Sequence, residues 1–115
     1  IHENVKKAMV EMDERSTNLI FRTLHNTARV ARNSVSDEVV GIEAKGNASI
    51  DDVRHLVAGA RGRIVFEDGD TQHGIWSVGM VLGLINDIPT VEELVTRIVA
   101  EAEEIIKGRL ANCVV

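Results

Sequence analysis

Gly69-Asp70-Thr71-Gln72-His73-Gly74-Ile75-Trp76-Ser77-Val78-Gly79-Met80-Val81-Leu82-Gly83-Leu84 is the stretch whose reading decides the fold. It carries four of the nine glycines and the only tryptophan of the 115 residues. Glycine inside a helix or strand costs about 0.5–1 kcal/mol relative to alanine. Four in one short run imply that backbone comes close to something there, either another element of the protein or a bound ligand. Gly79-x-x-x-Gly83 suits two closely packed helices, and the apolar run Ile75–Ile85 reads as a buried helix.

Downstream of this run, Pro89 marks a boundary. Thr90 and Glu93 have the spacing of a capping box, which opens a helix expected to run to about Leu110. Val91, Leu94, Val95, Ile98, Val99, Ala102, Ile105 and Ile106 form its wide apolar stripe, opposite a mainly charged face. Upstream, Gly59–Gly69 reads as a loop around the short apolar piece Ile64–Phe66. Ser49 and Asp52 resemble the capped start of a helix to about Ala60, with Ile50, Val53, Leu56 and Val57 on one face. Ser36 is a candidate N-cap for a helix through Ala44, ended by Gly46-Asn47 in a left-handed cap. His25–Asn33 fits a helical turn. Asn18–Leu24 is too short for periodicity to separate strand from buried helix. Asp13–Thr17 is a polar break, and residues 3–12 form a helix with Val5, Ala8, Met9 and Met12 on one face.

Composition narrows the function. A chain of 115 residues suffices for one core, and with three aromatic residues and one proline that core is aliphatic and the chain mainly helical. The net charge of −5 argues against nucleic acid, which is held by clustered Lys and Arg. The basic stretch Arg22, His25, Arg29 and Arg32 has no interleaved aromatic residues. Cys113 stands alone, so neither an intrachain disulfide nor a cysteine zinc set is available, which fits a reducing cytoplasm. Ile75–Ile85 is far short of the ~20 residues of a membrane span. The first residue is Ile rather than Met, and no signal peptide opens the chain, so a cytoplasmic protein represented by a fragment is expected.

No complete catalytic constellation is visible. His2, His25, His55 and His73 make no i, i+4 pair, so no metal site is expected. Ser77 lies in Gly74-Ile-Trp-Ser-Val-Gly79, one residue too long before the serine for a nucleophile elbow. Gly59, Gly62 and Gly69 lack the Gly-Lys-Ser/Thr of a phosphate loop. Glu67, Asp68 and Asp70 cluster as turn acids do. Arg29 and Arg32, with Asn26 and Asn33, suit either a bound anion or a structural ion-pair network. Trp76 suits either stacking on a ring or filling a core.

Three segments in order carry a resemblance: Asp13-Glu-Arg-Ser-Thr-Asn-Leu-Ile-Phe-Arg22, His25-Asn-Thr-Ala-Arg-Val-Ala-Arg-Asn33, and Gly69–Met80 with Gly83-Leu-Ile-Asn-Asp-Ile-Pro89. Together they resemble the C-terminal part of the bacterial nitronate monooxygenase family, also called 2-nitropropane dioxygenases. Some members of that family are NADH:quinone reductases, and flavin-dependent enoyl reductases are more distant relatives. The resemblance implies an α/β parent protein, an FMN-binding TIM barrel of roughly 320 residues. The visible segment would be its mainly α-helical C-terminal region, with at most short strands, following the last barrel strand. The cofactor would be FMN, with NADH used by the reductase members, and the substrate a small nitronate or quinone.

The family's catalytic histidine and FMN phosphate turn lie upstream of the part that matches Ile1. No catalytic residue is therefore assigned here, and the segment alone is expected to be inactive. Trp76, Ser77, Gly79 and Met80 are the expected pocket neighbours of flavin or substrate. The expected partner is the missing N-terminal barrel portion, with a homo-oligomer also open. The alternative of a different class is an autonomous helical interaction or dimerisation module that uses the Val91–Ile106 stripe.

Overall fold

The computed structural model describes residues 1–113. Helix α1 spans Glu3–Glu11, with the His2 ring nitrogen accepting from Asn4 N–H at its start and Val5 buried. Asp13 then closes a turn, its carboxylate accepting from Arg15 N–H and the Ser16 hydroxyl. A two-stranded antiparallel sheet follows, β1 (Thr17–Ile20) against β2 (Ala28–Ala31), in the register Thr17↔Ala31 to Ile20↔Ala28. The ambiguous segment 18–24 thus divides into strand and turn.

The helical turn expected over His25–Asn33 is a strand instead. A short segment follows its pairing partners rather than its propensity. β2 has partners on both sides: β1 on one edge, and on the other Trp76, whose carbonyl accepts from Ala31 N–H at 3.0 Å. Val30 and Ala31 face opposite ways, as strand neighbours do, and both are buried. Val30 joins Ile20, Val35, Val39, Val53 and Leu56, while Ala31 joins Val5, Val65 and Trp76. The small sheet therefore divides two clusters, whose buried members are aliphatic apart from Trp76.

Helix α2 spans Ser34–Glu43 and begins one turn earlier than Ser36 implied. Asn33 is its N-cap, and Ser36, at the third helical position, answers it by accepting from Asn33 N–H. The helix ends through Gly46 and Asn47, both at positive φ, as expected. Helix α3 (Ile50–Val57) has the expected Ser49–Asp52 capping box. Helix α4 (Gly59–Asp68) replaces the expected loop. Its glycines disguise it: Gly62 sits where an added Cβ would lie 3.2 Å from the Ile75 carbonyl, so this face of the helix must be bare for the chain to cross it.

The buried helix expected over Ile75–Ile85 is not formed. Residues 75–79 are extended, with Ser77 bridged to Val30, and a short 3-10 turn occupies Met80–Leu84. Of the five apolar side chains from Met80 to Ile85, only Leu82 is buried. Helix α5 (Val91–Glu104) opens with the expected Thr90–Glu93 box and continues as a wider turn through Leu110. No residue of α5 is buried. The radius of gyration is 18.0 Å, against about 13 Å for a compact domain of this length. The excess reflects an arm that lies away from both clusters.

Candidate functional site

The glycine-rich run folds into a loop strapped across α4 and onto the start of α2. Gly69 ends α4 in the left-handed conformation at φ +73°, against the His2 ring. At Gly74 an added Cβ would overlap the Arg61 carbonyl and the Val65 side chain. At Gly83 it would lie 2.9 Å from a carboxylate oxygen of Glu14. Three of the four glycines are thus explained by close approach within the chain. Gly79 is not: only Val81 lies within 4 Å of its Cβ position. Gly79 and Gly83 do not form a helix-packing pair, since neither lies in an α-helix.

Asn33 fixes the loop. It is buried, and its amide nitrogen donates to the carbonyls of Thr71 (2.9 Å) and Gly74 (2.8 Å) while its oxygen accepts from Ser36 N–H (2.9 Å). One side chain therefore caps α2 and holds both ends of the turn. The Ser34 hydroxyl adds a bond to the Gln72 carbonyl at 2.7 Å. Trp76 is only 2% exposed and donates its indole N–H to the Thr71 carbonyl at 3.1 Å. Within the turn, Asp70 accepts from Gln72 N–H, His73 N–H and the His73 ring nitrogen (2.7 Å). The backbone bond from Gln72, then the bond from His73, hold the Asp70 carboxyl below its ordinary value. His73 stays exposed with its ring oriented by that carboxylate.

The four residues singled out from the sequence separate by orientation. Trp76 turns into the cluster with Val5, Ala31 and Val65. Ser77 and Met80 are exposed, Met80 by 58%, and Gly79 between them is bare. They form a ledge anchored from behind by Trp76 and, through the Val30 bridge, by β2. The ledge offers one wall and backbone without an obstructing side chain.

The other candidates resolve into structure. Arg29 donates to the Thr17 hydroxyl across the hairpin at 2.6 Å, Arg32 pairs with Asp37 at 3.5 Å, and the Asn33 amide bonds the loop carbonyls, so these three are engaged in structural contacts. Among the described residues no three His, Cys, Asp or Glu side chains gather to hold a metal, and no helix is long and apolar enough to cross a membrane. Cys113 is exposed and free.

Two features escaped sequence reading. Glu43 is buried, yet among the described residues its carboxylate makes no ion pair; it accepts from Phe21 N–H (3.0 Å), Thr23 N–H (3.3 Å) and the Thr23 hydroxyl (2.9 Å). It holds the β1–β2 turn, in which Phe21 and His25 adopt positive φ. The second is an open groove of about 680 Å³ between α1, the 3-10 turn and α5, lined by Met9, Leu84, Ile85, Pro89, Leu94 and Ile98 among others. At its rim Arg97 makes a two-pronged pair with Asp87 at 2.7 and 3.0 Å. That pair lowers the Asp87 carboxyl from its ordinary value.

No family model matches the chain. A solved structure of FabK from Thermotoga maritima superposes on 99% of it with a TM-score of 0.83 and 24% sequence identity. The M276A mutant of the same protein covers 98% with a TM-score of 0.75 and 22% identity. The chain has the fold of one part of that protein. It spans 35% of the first structure's length and 32% of the second's. The expected fold class, a mainly helical part of a TIM-barrel protein with at most short strands, is the one observed.

Proposed function

We propose that this chain is the C-terminal region of a longer, cytoplasmic FMN-dependent oxidoreductase, a nitronate monooxygenase or an NADH:quinone reductase. The observation that carries the reading is the superposition of 99% of the chain, at a TM-score of 0.83, on about a third of a solved FabK. The ordered motifs from Asp13 to Pro89 support the family, and the open form of the chain supports a missing body.

In this reading Ser77, Gly79 and Met80 line one side of the flavin or substrate pocket, and Trp76 is their anchor. FMN, when bound, supplies the electron transfer, and the protein supplies position and exclusion of water. The bare backbone at Gly79 fits a flat ring, and the exposed Met80 thioether gives an apolar border that adapts to what lies against it. The phosphate site and the proton-transferring histidine belong to the missing N-terminal barrel portion. No histidine of this chain takes that role: His2 and His73 are engaged in caps and turns, His25 lies in the hairpin turn, and His55 stands exposed in the last turn of α3.

The test is the longer protein. It should purify with FMN and either take up oxygen with an alkyl nitronate or oxidise NADH with a quinone, and the two assays separate the activities. The 115-residue chain alone should do neither. Stoichiometric FMN on that chain alone overturns the placement of the phosphate site outside it. A second reading, an interaction module with no chemistry, draws on the exposed stripe of α5. The intact mass of the gene product separates them: near 115 residues for the module, roughly 320 for the enzyme.

A further inference from the structure

We propose that the cavity between the β1–β2 turn and α2 is a binding site for a small zwitterion, an aliphatic amino acid, whose ammonium group meets Glu43 and whose carboxylate meets Arg22. The cavity measures about 400 Å³ and is lined by Leu19, Arg22, Thr23, Val40, Glu43 and Ala44. That volume lies in the range of small-molecule sites, which combine apolar walls with a few placed polar groups. Val40, Glu43 and Ala44 stand three and four residues apart at the end of α2, which sets them on one face. Leu19 of β1 and the turn residues Arg22 and Thr23 supply the other wall.

Two of the lining residues carry opposite charge without pairing. Glu43 is only 8% exposed. Its Oε1 accepts from the Thr23 N–H and hydroxyl, and its Oε2 from the Phe21 N–H alone. A carboxylate offers about four acceptor positions, so Oε2 keeps one that no described residue fills. A buried carboxylate without a counter-charge is costly, and an ammonium group supplies both the donor and the charge. Arg22 lines the same cavity, is exposed, and makes no ion pair among the described residues. Its guanidinium is a ready fork for a carboxylate. A simple cation would answer Glu43 and face Arg22 as a like charge, and a simple anion would do the reverse. A ligand bearing both charges answers both, and Leu19, Val40 and Ala44 offer apolar surface to a branched aliphatic side chain. The site is built wholly within residues 19–44, so it stands apart from the ledge and from the flavin reading.

Isothermal titration calorimetry of the full gene product with L-leucine tests this. One L-leucine should bind per chain. Isopentylamine, which lacks the carboxylate, and isocaproate, which lacks the ammonium, should each bind more weakly by about tenfold or more. Arg22→Gln should weaken L-leucine by about tenfold or more and leave isopentylamine unchanged. Val40→Trp should fill the cavity and abolish binding. Both variants leave the Glu43 bonds to the turn in place, so their circular dichroism should match the parent's. No saturable heat from L-leucine would overturn the proposal. So would isopentylamine or isocaproate binding as tightly as L-leucine, which assigns a site for one charge only, or wild-type affinity in either variant.

Discussion

Replacing Asn33 by alanine should loosen the loop that carries the ledge, and the cost can be worked from its contacts. The N-cap of α2 loses its acceptor, worth about 1 kcal/mol. The buried Gly74 carbonyl loses its amide donor at 2.8 Å, and an orphaned buried acceptor costs about 1–3 kcal/mol. The Thr71 carbonyl loses less, because the Trp76 indole still donates to it. The sum is about 3 kcal/mol. Asn33→Ser keeps a capping oxygen but cannot reach the loop, so it should recover only the cap, about 1 kcal/mol of the loss. Urea unfolding gives the total, and amide exchange of residues 69–77 gives its location. A loss below about 1 kcal/mol in Asn33→Ala, or unchanged exchange in the loop, would refute the claim that Asn33 fastens it.

Gly74→Ala should destabilise by about 1–3 kcal/mol in the same unfolding assay, because the new Cβ meets the Arg61 carbonyl and Val65. His25→Gly should stabilise by about 1 kcal/mol, since His25 sits at φ +54°, where glycine has no Cβ clash. Trp76→Ala should cost about 3–5 kcal/mol, whereas Trp76→Phe should lose mainly the hydrogen bond to Thr71; equal effects would argue against the core role. Asp13, Asp52, Asp70, Asp87 and Glu93 are all held below their ordinary values by hydrogen bonds from neighbouring backbone or side-chain donors. Because the folded values are depressed, this stabilisation is fully present above the ordinary carboxylate range. It drains away as pH falls through that range and below. Thermal melts at pH 6 and 3 should differ in that direction, with high salt shrinking the Asp87–Arg97 part.

Much of this fold was legible where the signal is local. The Thr90–Glu93 and Ser49–Asp52 boxes and the Gly46-Asn47 stop are each written within four residues, and each formed as read. The errors arose where a distant partner decides. β2 is a strand because Thr17–Ile20 and Trp76 flank it. α4 looked like a loop because its glycines serve the chain crossing it rather than its own backbone. Ile75–Ile85 looked like a buried helix because apolar composition does not reveal whether the covering surface lies within the chain. Three of its eight apolar side chains, Met80, Val81 and Leu84, remain exposed. At the ledge, the glycine density did point to close approach. Sequence did not reveal that three of those glycines serve packing and only Gly79 is open, nor that Asn33 and Glu43, polar residues of ordinary appearance, hold the neighbouring turns.

The absorbance spectrum of the longer protein containing these residues, before and after titration with FMN, tests the central claim most directly. One FMN per longer chain, with none taken up by the 115-residue segment alone, is the predicted result. A longer protein that is colourless and binds no added FMN would contradict it.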